Sequence, residues 1–136
     1  MSEPLRAIAV AVLTVGGRYA LQHRDDVSHI PWPGHWSLFG GTTEPGETPR
    51  VAIGREITEE LGLAGVDFVP LWSSSEYRDF YGRKRELFVF EADVTAVWAT
   101  HRLGEGQGVG VFDAGALPEP LVPVARRMIE RHARRA

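Results

Sequence analysis

Glu56, Glu59 and Glu60 stand close together directly after Arg55, and their spacing carries the strongest chemical signal in the chain. At about 100° per residue on a helix, the three carboxylates fall within roughly 100° of arc, while Ile53, Ile57 and Leu61 form a neighbouring apolar stripe. One flank of such a helix is core and the other is acid. Like charges at i,i+3 and i,i+4 repel by a few tenths of a kcal/mol per pair, and by more where a core excludes water, so the cluster calls for a cation. Clustered carboxylates with water and a backbone carbonyl suit a hard divalent ion, Mg²⁺ or Mn²⁺. Arg55, beside Glu59 on the helix surface, is a second source of positive charge and can orient a carboxylate through a bidentate pair. Just upstream, Gly40-Gly41 lets backbone carbonyls and N–H groups approach a ligand with no Cβ in the way. A row of acids on a helix is most often a solvated face; the residues around this one argue for a site.

The elements that must position these groups follow from pattern and punctuation. Leu5–Val15 reads as a buried strand, Gly16-Gly17 as a two-residue turn and Arg18–His23 as the return strand. From Arg24 to His35 the chain is polar and broken by Pro31 and Pro33, which predicts an exposed loop. Trp36–Phe39 is a short apolar strand, with Gly40-Gly41 and Glu44–Glu47 in the loop that follows it. The helix should run from Pro49 to Leu61: Thr48 is a suitable N-cap, Pro49 sits where its missing N–H costs nothing, and Gly62 is placed for a left-handed C-terminal residue. Val66–Ser73 and Arg85–Val94 read as strands joined by a charged, aromatic-bearing connection from Glu76 to Lys84. Gly104–Gly110 leads into Val111-Phe112. A last amphipathic helix is predicted over Val122–Ala133, with Val124, Met128 and Ile129 facing inward.

From Gly41 the chain gives Gly, five residues, Glu47, seven residues, and then Arg55-Glu56-Ile57-Thr58-Glu59-Glu60-Leu61-Gly62-Leu63. This resembles, without a departure, the signature of the Nudix hydrolases, with Ile57 and Leu63 at the bulky aliphatic positions. The resemblance implies an α/β fold, an α/β/α sandwich with a mixed β-sheet between helices, spanning residues 1–136 as a single domain. It also implies hydrolysis of a nucleoside diphosphate linked to another group, by attack of water on phosphorus with Mg²⁺ or Mn²⁺ as cofactor. Carried over position by position, Glu56, Glu60 and the carbonyl of Gly40 resemble metal ligands. Glu59 resembles a third ligand or the general base. Arg55 resembles the orienting arginine, and Glu47 the glutamate that fixes the site through hydrogen bonds. Some relatives take their base from a loop after the sheet, and Glu105 is the candidate for that role here.

For the substrate, Arg24 closes the second strand and could contact a phosphate, while Trp32 and Tyr81 could stack on a base. Trp36 is better placed for the core. Subfamily features argue mostly by absence: Arg78 stands where ADP-ribose-selective relatives have proline, and Pro120–Pro123 lacks the asparagine with which MutT-like relatives read an oxidised purine. Tyr81, eighteen positions past Leu63, is similar to the tyrosine of dinucleoside polyphosphate hydrolases.

Composition bounds the remaining classes. The chain has no cysteine, which excludes thiolate nucleophiles and Cys-ligated metals. A net charge of −3 supplies no sequence-wide attraction for nucleic acid or an anionic membrane. The apolar run Ala7–Val15 is too short to span a bilayer and lacks a leader-peptide cleavage site behind it, so a cytoplasmic enzyme acting on a small nucleotide is expected. The resemblance allows a homodimer. Two other readings stand beside the leading one: a nucleoside triphosphate pyrophosphohydrolase releasing a monophosphate and pyrophosphate, and a non-catalytic domain that binds a nucleotide as a sensor. The dense glutamate set weighs against the last, since a binder has no need of mutually repulsive carboxylates.

Overall fold

Strand β1 (Ile8–Val15) alternates its side chains strictly between two cores, and the rest of the chain is organised around it. Ala9, Ala11 and Leu13 point to one face and Val12 to the other, all fully buried. The computed structural model describes residues 6–104 and 106–135. The turn at Gly16-Gly17 returns the chain as β2 (Arg18–His23), which pairs antiparallel with β1 only at its start, Val15 with Arg18 through Leu13 with Ala20. Beyond that point the two strands splay. The gap is filled by β3 (Trp36–Ser37), paired with the far end of β2, and β4 (Phe39–Thr42), paired with the first half of β1. β5 (Val69–Arg78) and β6 (Lys84–Asp93) form an antiparallel hairpin, and β6 lies parallel to β1. β7 (Gly108–Phe112) pairs with the outer edge of β2. The result is a mixed, seven-stranded sheet.

Helix α1 (Pro49–Leu61) covers one face. Thr48 is extended and its hydroxyl accepts the Val51 N–H at 3.2 Å, while Gly62, at φ 67°, ends the helix and donates to Thr58 O at 2.9 Å. Ile53, Ile57 and Leu61 are fully buried against Ala9, Leu13 and Phe39, each side chain worth roughly 1.5–3 kcal/mol of burial. Helix α2 (Pro123–Ala133) covers the other face, where Ala125 and Ile129 pack among Val12, Leu21 and Val89. Its far end is latched to the sheet: the Tyr19 hydroxyl and His132 Nδ1 lie at 2.8 Å, and His132 Nε2 and Arg135 both reach Glu91 Oε2, at 2.6 and 2.7 Å. The chain is therefore an α/β/α sandwich. Among the described residues no helix is long and apolar enough to cross a membrane.

Several boundaries differ from those read in the sequence. Gly40-Gly41 lies within β4 rather than in a turn, and the strand expected over Trp36–Phe39 is broken at Leu38 where it passes from β2 to β1. The β5–β6 hairpin extends through residues expected in its connection, leaving only a short turn around Asp79–Arg83. β5 is an edge strand whose Ser73–Glu76 segment is exposed, so polar residues there continue the ladder without having to enter a core. A 3₁₀ helix over Thr95–Thr100, bringing Trp98 onto the α1-side core, had no counterpart in the sequence reading. On α2, Ile129 is core as expected, whereas Val124 and Met128 are only partly buried, and Ala125 takes the inward position.

Two substitutions test this frame. A Cβ on Gly40, whose φ is 144°, would sit 2.1 Å from the Ala9 carbonyl oxygen; Gly40→Ala is expected to cost about 3 kcal/mol or more in urea unfolding. Thr48→Ala, which removes only the helix cap, should cost about 1 kcal/mol.

Candidate functional site

Arg55 is the hub of the acidic cluster. Its guanidinium makes a two-pronged pair with Glu47, Nε to Oε2 and NH2 to Oε1, both at 2.8 Å. It also donates from NH1 to Glu56 Oε1 at 2.9 Å and from NH2 to the Thr42 carbonyl at 3.3 Å. Glu59, one turn on, lies 3.5 Å from NH1. The bidentate pair expected of Arg55 is thus made with Glu47, a carboxylate arriving from the preceding loop, rather than with its helix neighbour Glu59. Glu47 also accepts the Glu44 N–H at 2.9 Å. The Arg55 guanidinium and that N–H together hold the Glu47 carboxyl at about 2, and the pairing in turn raises the pKa of Arg55.

The three helix glutamates do not share one surface. Glu59 is exposed, Glu56 is mostly covered and Glu60 is 2% exposed. Each of the two inner acids is held at one glycine of β4. Glu56 Oε1 lies 2.6 Å from the place a Cβ on Gly41 would take, so the carboxylate occupies this position against β4 because that side chain is hydrogen. Glu60 Oε1 lies 3.4 Å from the Gly40 N–H. Among the described residues no three acidic or imidazole side chains form a finished metal cage. The donors present, Glu56 and Glu60 gathered on a glycine pair whose carbonyls carry no side chain over them, are all oxygen and match the preference of a hard divalent cation.

The loop after the 3₁₀ helix closes the C-terminal end of α1. Arg102 N–H donates to Leu61 O and Gly104 N–H to Glu60 O, both at 2.8 Å, and a Cβ at Gly104 would lie 1.9 Å from Glu59 O. Glu105 falls outside the described residues.

On the α2 side of β4 opens a cleft of about 310 Å³. Gly40, Gly41 and Thr42 line it, and the acidic cluster lies against the same three residues, with Glu60 at the Gly40 N–H and Arg55 at Thr42 O. Ile8 and Val10 form its floor, and Val122, Val124 and Ala125 at the start of α2 form one wall. Arg24, Trp32 and Tyr81, the residues expected to read substrate, all line it. Arg24 donates from Nε to Pro31 O at 2.8 Å, tying β2 to the long loop, and also borders a second hollow of about 180 Å³ with Asp25 and Gly106. Trp32 has φ 52°, a left-handed conformation that a bulky residue adopts at a cost of roughly 1–2 kcal/mol. Its ring meets Phe80 edge-on at 5.2 Å, and Phe80 meets Tyr81 in the same manner at 5.2 Å. Trp36 lies outside the cleft, stacked on His23 at 4.5 Å. The sequence reading missed Ser37, Asp79, Phe80, Arg83 and Arg85 in the cleft lining. The Ser37 hydroxyl is buried with no hydrogen-bond partner among the described residues. Of these, Asp79, Phe80 and Arg83 had left a trace, as aromatic and charged side chains in a predicted connection.

The depressed Glu47 carboxyl gives a testable pH dependence. A carboxyl titrating lower in the folded state than its unfolded value of about 4.3 contributes stability above that value, and loses it as the pH falls through about 2. The stability advantage of wild type over Glu47→Gln, followed by the urea midpoint, should therefore shrink from about pH 4.5 downward and vanish near pH 2. An advantage that stays constant over this interval would show that the pair does not act through charge.

Comparison with known proteins agrees with this geometry. Residues 3–132 match the family model of the NUDIX domain. A stretch of 92 residues is 37% identical to nucleoside triphosphatase NudI of Escherichia coli O1:K1 / APEC, covering 62% of this chain and 62% of that relative; the match spans less than two thirds of the curated protein. Among solved structures, a MutT NUDIX hydrolase from Burkholderia pseudomallei superposes with a TM-score of 0.78 at 28% identity, over 94% of this chain and 98% of that one. The NUDIX domain of Shewanella oneidensis NrtR, crystallised with ADP ribose, shares the fold at a TM-score of 0.78 and 19% identity, over 97% of this chain and 88% of that one. With the complete signature, the sandwich that carries it and a family match over nearly the whole length, this chain belongs to the Nudix family.

Proposed function

We propose that the chain is a divalent-cation-dependent pyrophosphohydrolase that cleaves the pyrophosphate linkage of a small nucleoside-diphosphate-linked substrate by attack of water on phosphorus. The observation that carries this reading is the junction at Gly40–Thr42, where an oxygen-donor cluster on one side meets a ring-lined cleft on the other. A charged diphosphate with a flat base attached has that same two-part chemistry.

In this reading Glu56 and Glu60, with the Gly40 carbonyl, hold the cation, Mg²⁺ or Mn²⁺. When bound, the ion supplies neutralisation of the phosphoryl oxygens and polarisation of the attacking water. Arg55 holds Glu56 in place and keeps the cluster tolerable in the absence of a ligand, and Glu47 holds Arg55. Glu59, the exposed acid, accepts the proton from water, a role for which solvent access and a loosely held carboxylate are suited. Glu105 remains the alternative base. Arg24 binds a phosphate at the edge of the cleft, and Trp32 and Tyr81 hold the base, where stacking is worth roughly 1–3 kcal/mol. A second reading is favoured by the printed activity of the 37%-identical relative, a nucleoside triphosphatase: a triphosphate would be cut to a monophosphate and pyrophosphate by the same residues.

Products formed in H₂¹⁸O across a panel of nucleoside triphosphates, nucleotide sugars, ADP-ribose and dinucleoside polyphosphates separate these readings. The expected result is turnover of one class, dependent on Mg²⁺ or Mn²⁺ and abolished by EDTA, with the label in a single phosphate. Glu59→Gln should lower kcat about 10²–10⁴-fold. Tight nucleotide binding without product in any metal would replace the enzyme with a sensor.

A further inference from the structure

We infer that Asp79 is a positioning residue for the outer end of the cleft: it holds the turn between β5 and β6 so that Phe80 and Tyr81 stand beside Trp32, and thereby selects substrates that carry a nucleobase. This rests on the proposed reading of the cleft as a nucleotide site.

The turn is built around one carboxylate. Oδ1 of Asp79 accepts the backbone N–H groups of Tyr81 and Arg83, both at 2.9 Å, and Oδ2 accepts Nε of Arg83 at 3.1 Å and Nε of Arg85 at 3.0 Å. The two oxygens therefore divide the work, one shaping the backbone and the other gathering two guanidinium groups that would otherwise repel each other. Although the turn lies at the tip of an edge hairpin, the Asp79 side chain is only 11% exposed. Burial pushes its carboxyl up, but the Arg83 N–H and the Arg85 guanidinium outweigh that and hold it below the usual aspartate range, so it is charged at neutral pH. Arg83, once held, lies 5.1 Å over the Tyr81 ring and restrains it. Arg85 also donates to Arg6 O at 3.1 Å, anchoring the arrangement to the segment before β1.

The rings so placed have little other reason to be there. Phe80 is 44% exposed and Tyr81 59% exposed, side by side on a cleft wall, and large apolar groups grouped at a surface mark a binding function more often than a structural one. The described contact between the turn and the long loop is the Trp32–Phe80 edge-to-face pair. The opening between the two segments is thus set by how the turn is held rather than by a sheet ladder. A phosphate chain has no use for such rings, whereas a base does.

The test is steady-state kinetics of the full chain on the nucleotide it turns over, together with inhibition by the matching nucleoside monophosphate and by inorganic pyrophosphate. Asp79→Asn keeps an oxygen for the two backbone N–H groups but turns an amide toward the two guanidinium groups. The expected result is a KM raised about tenfold with kcat within about threefold. Inhibition by the monophosphate should weaken in parallel, and inhibition by pyrophosphate should not change. If Asp79→Asn does not fold, Arg83→Met, at an exposed side chain, carries the same expectation at about threefold in KM. A folded variant with unchanged KM, or with monophosphate and pyrophosphate inhibition weakened alike, overturns the inference and leaves the nucleotide reading intact. A wild-type chain that neither binds nor hydrolyses any nucleotide overturns both.

Discussion

The close approach of α1 to β4 is the constraint on which the rest of the site depends. Glu56 occupies the space that any side chain at Gly41 would need, and Gly40 runs so near β1 that a single added carbon would meet the Ala9 carbonyl. These contacts bring a helix carrying three acids down onto a bare strand. The apolar stripe of Ile53, Ile57 and Leu61 supplies the drive, since it is buried only if the helix lies at this distance. The cost is a set of partly desolvated carboxylates, which is why Arg55 must stand among them with its fork committed to Glu47 and one N–H to Glu56.

The splay of β1 and β2 has a second consequence. Because β3 and β4 fill the gap from one side, the same short strand is backed by α1 and faces the cleft under α2. The charged end of the site and its ring-lined end therefore meet through backbone, with no long side chain between them. The cleft walls come from the start of α2, the loop after β2 and the tip of the β5–β6 hairpin. These segments are far apart in sequence, and a change in any of them can alter what the cleft accepts while the acidic cluster stays as it is.

What the sequence by itself determined is what neighbouring residues decide among themselves. Helix α1 runs over the expected residues because Thr48, Pro49 and Gly62 act within a turn of its ends. The grouping of Glu56, Glu59 and Glu60 beside an apolar stripe follows from helix periodicity alone, and the signature from Gly41 to Leu63 is complete in the residue order. The first hairpin was legible for the same reason: Gly16-Gly17 between an apolar run and a short return strand is a local feature.

The tertiary structure alone decided the matters that depend on partners distant in the chain. Gly40-Gly41 reads locally as a turn, yet it is a strand because β1 offers it a ladder of hydrogen bonds thirty residues away. Glu60 looks like its two companions on a helical wheel and is buried only because β4 lies against it. Arg55 lies within ion-pair distance of Glu59, one turn along, yet gives its two-pronged hydrogen bond to Glu47 because the preceding loop folds back over the helix. Asp79, Phe80 and Arg83 read as part of a charged, aromatic-bearing connection until the hairpin sets Phe80 against Trp32 and brings all three to the cleft. In each case local geometry permits more than one arrangement, and the one adopted is chosen by how the chain folds back on itself, which residue order alone does not state.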